Sequence, residues 1–73
     1  LDGCLVDGAG NPVVADVIYG GQSHQTYTDG CFFFATLPSG NGELIVQRGA
    51  EAWFFDVVII NGQATGLGNV ALD

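Results

Sequence analysis

The chain has 73 residues, a formal net charge of −7, and a single arginine as its only Lys or Arg. So short a chain is expected to form one domain, residues 1–73, with a small core that gains from extra support. The charge excludes nucleic-acid binding, which needs a basic footprint on phosphates, and argues against an anionic membrane surface.

Hydrophobic residues make up 48% of the chain and charged residues 12%, so a disordered polymer is not expected. No apolar run approaches the roughly 18 residues of a helical span, and the longest, residues 53–60, is interrupted by Asp56. Membrane insertion is therefore not expected. The first residue is Leu rather than Met, which fits a processed mature protein or an excised domain.

Twelve glycines cut the chain into short β-branched and aromatic runs, with no sustained i, i+3, i+4 pattern. That is the pattern of a small all-β sandwich. Residues 1–6 read as the first strand, and the Asp7 to Pro12 cluster as a turn. Residues 13–19 form the second strand, closed by Gly20-Gly21. Residues 23–28 read as a polar strand exposed on one face. Residues 31–35 form the fourth strand. Residues 43–47 form the fifth, ended by Arg48-Gly49, and residues 52–60 the sixth and longest. Asn61-Gly62 is a strong turn signal. Residues 69–72 close the chain as a seventh strand.

The organising stretch is residues 28–38, TDGCFFFATLP. Asp29 tolerates the turn, Gly30 supplies a positive φ, the Cys-Phe run fills a half-buried pleat, and Pro38 ends it. The only cysteines are Cys4 and Cys31. With one histidine they cannot complete a zinc site. A disulfide in a small secreted domain is the simplest reading, and two buried thiols are the alternative.

Several residues together resemble the carboxypeptidase regulatory-like domain, a transthyretin-like fold. They are Gly3, Leu5, Asp7, Gly10, Pro12, Val13, Ala15 and Val17; then Thr26, Thr28, Asp29, Gly30 and Phe32; then Leu37, Pro38 and Gly40, followed by Leu44 and Val46. The resemblance covers residues 3–49 well and the last third loosely, with a shortened Thr-Asp-Gly turn. It implies a seven-stranded Greek-key β-sandwich. It also implies that the strand at Cys31 lies beside the first strand, with both cysteines on positions alternate to Gly3, Leu5 and Phe32. A cross-strand disulfide on the outer face is then expected. The Lys–Asn crosslink of related adhesin domains is excluded, because the chain has no lysine.

The resemblance puts Ala15, Val17 and Tyr19 inward and the second, fifth and sixth strands in one sheet. Strand alternation then sets the other face. Asp56 marks the solvent side of the sixth strand, so Trp53, Phe55, Val57 and Ile59 point inward. Ile18, Ile45, Phe54, Val58 and Ile60 are left as an apolar outer patch, and Phe33, pointing away from Phe32 and Phe34, is counted with them as an interface residue. Such a patch marks an interface. The alternative is a bulge that turns the second half of the long strand inward.

Chemistry is sparse. His24 has Ser23, Asp16 and Asp29 as conceivable triad partners, but Ser23 and His24 are adjacent in a strand and face opposite ways. No G-x-S-x-G occurs, and no catalytic residue is expected. Asp7 and Asn11 are the best pair for a cation, yet they lack a dedicated calcium-loop spacing, so no metal or cofactor is expected. Gly3, Gly8 and Gly10 lack the lysine and helix of a phosphate cradle. Of Tyr19, Tyr27, Trp53 and Phe54, the aromatics available for a sugar platform, alternation leaves only Tyr27 and Phe54 outward. The expected role is a non-catalytic structural or assembly module of an extracellular protein, packed against other copies of itself or a parent chain, as in a filament or surface appendage. The alternative is a binding or regulatory accessory domain of a secreted enzyme or adhesin.

Overall fold

Glycine-punctuated runs become seven strands in the computed structural model, which describes residues 1–35 and 37–72. Thr36, inside the organising stretch, and Asp73 lie outside the described residues. The strands are β1 (Asp2–Asp7), β2 (Asp16–Tyr19), β3 (Gln22–Gln25), β4 (Cys31–Phe33), β5 (Gly40–Arg48), β6 (Glu51–Ile59) and β7 (Gly66–Leu72). They form two sheets, ordered β4-β1-β7 and β3-β2-β5-β6. The described residues contain no helix, and the fold is all-β.

β1 is the centre of the smaller sheet. It runs antiparallel to β4, with Gly3 opposite Phe32 and Cys4 opposite Cys31. It runs parallel to β7, with a register shift between Asp2 and Cys4. In the larger sheet every pairing is antiparallel. The inner faces meet in one apolar cluster, in which Leu5, Val17, Phe34, Leu44 and Val46 are the largest fully buried side chains.

The second strand starts later than its β-branched run suggests. The buried Thr26 hydroxyl lies 3.0 Å from the Ala15 amide nitrogen, accepting its N–H, and donates to the Val13 carbonyl oxygen at 3.2 Å. The Val13 N–H donates to the Leu5 carbonyl at 3.0 Å. Residues 13–15 therefore carry the chain from one sheet to the other and do not extend β2. Thr26, expected inside a polar strand exposed on one face, lies beyond the end of β3 and is 5% exposed for this reason.

β5 and β7 both start earlier than expected, each at a glycine. Gly42 pairs with Val57 inside β5. A Cβ there would collide with the Tyr19 ring and hydroxyl, so glycine lets Tyr19 lie on the strand. A breaker by propensity is here a packing residue.

Candidate functional site

Cross-strand register builds the candidate surface. Ile18 stands opposite Ile45, and Ile45 opposite Phe54. The three side chains form one row across β2, β5 and β6 on the outer face. The β5–β6 register runs from Gly40–Ile59 to Arg48–Glu51 without a shift. No bulge turns the strand inward, and Phe54, Val58 and Ile60 are 61%, 56% and 53% exposed. Ile18 and Ile45 are half-buried by their neighbours.

The expected patch is not continuous. Glu43 stands directly opposite Asp56 on the same face, between the Phe54 row and Val58. Like charges in that position repel. On the other side of the apolar row, Asp16 is paired with Gln47. The face is thus a narrow apolar stripe with acidic positions on both flanks, plus Val58 and Ile60 further along. The opposition of Glu43 and Asp56 was missed from sequence, although a turn at Gly49-Ala50 implies it.

Phe33 stands apart. It is 57% exposed and pairs with Asp2 in the other sheet, so it belongs to the opposite outer face. On that face Cys4 and Cys31 form a disulfide that bridges directly opposed residues of β1 and β4. Among the described residues no cysteine is free.

Inward-facing Val57 and Ile59 are buried, while Trp53 and Phe55 are only half-buried. The Arg48 guanidinium lies 5.6 Å from the Trp53 ring centroid and also pairs with Glu51 at 3.4 Å. The one cation is thereby held at the β5–β6 hairpin, away from the acidic pair. An exposed pair of this kind is worth less than about 1 kcal/mol.

The residues considered for chemistry have other roles. His24 is exposed, stands opposite Val17 and meets the Phe34 ring edge-on at 4.8 Å, while Ser23 faces the other way opposite Ile18. Asp7 Oδ1 accepts the amides of Ala9 and Asn11, each at 2.9 Å. The Asn11 N–H, and with it that of Ala9, holds the Asp7 carboxyl below the usual carboxylate range. Among the described residues no three His, Cys, Asp or Glu side chains cluster as metal ligands. Tyr19 is buried in the core, Tyr27 is 70% exposed, and Trp53 lies under Arg48. A cleft of about 220 Å³ opens at one end of the sandwich, between Phe34, Leu37, Ile60 and the Asn61–Gln63 turn. No titratable side chain lines it.

Comparison with protein-family models and with curated proteins finds no match for this chain. The surface itself therefore carries the functional argument.

Proposed function

We propose that the chain is a non-catalytic structural module of an extracellular assembly, a filament or surface appendage. In this reading it is a Greek-key sandwich of transthyretin-like type. It packs through the outer face of its four-stranded sheet against other copies or a parent chain. The observation that carries the proposal is the Ile18–Ile45–Phe54 row on the outer face, with Phe54 61% exposed and the two isoleucines half-buried, a face that no strand of the described residues covers. Two placements support the resemblance to the carboxypeptidase regulatory-like domain: β4 beside β1, and β2, β5 and β6 in one sheet. The disulfide agrees with an oxidising, extracellular setting. No helix is long and apolar enough to cross a membrane among the described residues.

Magnitudes set the kind of assembly. In the Ile18–Ile45–Phe54 row the two isoleucines are already half-buried and Phe54 is partly covered, so burying what remains yields roughly 1 kcal/mol each. Association costs on the order of 4–15 kcal/mol in lost freedom. A single contact through this face is therefore weak, and the module holds its place by repeated contacts. Glu43 and Asp56 lie between this row and Val58, so the contact is confined to the row and leaves the acidic pair at its solvated rim, where salt screens the repulsion.

Ile45→Lys tests the face at an interior strand, away from the sheet edge. It is expected to weaken self-association at least about tenfold while the sheet signal in circular dichroism is retained. Unchanged association in a folded Ile45→Lys chain would remove the face from the account.

A further inference from the structure

We infer that β6 is a strand-addition edge whose partner is β6 of a second copy, paired antiparallel about a two-fold axis at Phe54. The inference rests on the assembly reading above and supplies it with a second, different contact.

The two sheets have four edge strands. β3 and β4 are short, with 4 and 3 residues. β7 is kinked where its register against β1 shifts, beside Gly68 at φ +64°. Short length and bulges are the usual protections of an edge. β6 has 9 residues, no proline, no lysine and no bulge. Its one charged interior side chain, Asp56, is the only protection of this kind along the strand; it stands beside Glu43 and restricts which register a partner strand can take.

The hairpin turn sets which backbone groups are free. Arg48 and Glu51 flank a two-residue loop with Gly49 at φ +61° and no positive φ at Ala50, the geometry of a II′ turn. Such a loop closes on a hydrogen-bonded pair, and the pattern alternates from there. The odd-numbered residues of β6 therefore exchange bonds with β5. Ala52, Phe54, Asp56 and Val58 aim their N–H and C=O groups at the open edge.

Charge selects the partner register. Centring the two-fold on Asp56 opposes two carboxylates, and centring it on Phe55 leaves them diagonal, about 7–8 Å apart. Centring on Phe54 separates them and sets each Asp56 opposite Ala52 of the other copy. It also sets Phe54 against its own mate, and Trp53 against Phe55 of the second copy on the inner face, where both side chains are half-buried. Aromatic cross-strand pairs are the favourable ones. The Ile18–Ile45–Phe54 row then continues into its symmetry mate as one stripe across both copies. Edge and face are each self-complementary, so their alternation propagates an open chain of copies.

Sedimentation equilibrium of the native, disulfide-bonded chain tests this with two substitutions at one exposed site. Ala52→Pro removes an edge N–H that β5 does not use, and is expected to abolish the strand-paired dimer, at least a hundredfold in dissociation constant. Ala52→Lys normally protects an edge, yet here it meets Asp56 of the second copy twice and is expected to tighten the dimer about three- to tenfold. Amide exchange should slow at residues 52, 54 and 56 in the dimer only. Ile45→Lys should stop association at the dimer, so loss of the face and loss of the edge are read separately. A wild-type chain without a dimer, a dimer that survives Ala52→Pro, or weakening by Ala52→Lys would each overturn the proposal.

Discussion

Gly30 shows how one position can decide the fold. It is buried at φ +79°, and a Cβ there would sit 2.6 Å from the Leu5 carbonyl oxygen. That carbonyl accepts the Val13 N–H, and the Gly30 carbonyl itself accepts the Leu5 N–H at 2.8 Å. The turn therefore touches the backbone link between the two sheets. Asp29 secures it by accepting the Cys31 amide at 3.0 Å. Gly30→Ala combines a strained φ with a backbone collision that no side-chain rotation relieves. It is expected to cost about 2–4 kcal/mol, read as a lower midpoint in denaturant unfolding. A midpoint equal to wild type would mean that the turn relaxes freely. Gly8 and Gly10, by contrast, lie exposed in the Asp7 turn, and a Cβ at Gly10 meets nothing.

At the scale of the elements, the disulfide replaces what a small core lacks. It ties β1 to the short β4 and closes a loop with a sequence separation of 27. Loop-closure entropy for that length is worth about 3–4 kcal/mol. The double substitution Cys4→Ala, Cys31→Ala is expected to lose that amount in denaturant unfolding, and an unchanged midpoint would contradict it. Alternation alone was enough to place Phe54, Val58 and Asp56 outward, because a strand's period of two does not depend on its partner. Register was harder to see. Glu43 meets Asp56 only because the hairpin turns at Gly49-Ala50, and the sequence marked Arg48-Gly49 merely as a strand end. Strand starts failed at glycines. Gly40, Gly42 and Gly66 read as loop residues, yet all three pair in strands: Gly40 opposite Ile59, Gly42 opposite Val57 where it makes room for Tyr19, and Gly66 opposite Asp2 of β1, so strand pairing overrides their propensity. The strand expected over residues 23–28 ends at Gln25, and Thr26 beyond it turns its hydroxyl to two buried backbone groups, a role that its polarity alone does not reveal.

At the scale of the whole molecule, charge and shape oppose each other. A formal charge of −7 on 73 residues drives copies apart. An apolar row on the outer face and a nine-residue edge with one charged interior residue draw them together. Screening should tip the balance, so association is expected to strengthen as ionic strength rises from about 0.01 to 0.15 M, where the Debye length falls from roughly 30 to 8 Å. The measurement that tests the account most directly is light scattering of the native, non-reduced chain across concentration and salt, with negative-stain imaging of the same samples. The account predicts mass that grows with both variables and regular polymers on the grid. A constant 7.6 kDa monomer under all conditions would contradict it and favour an accessory domain of a larger protein.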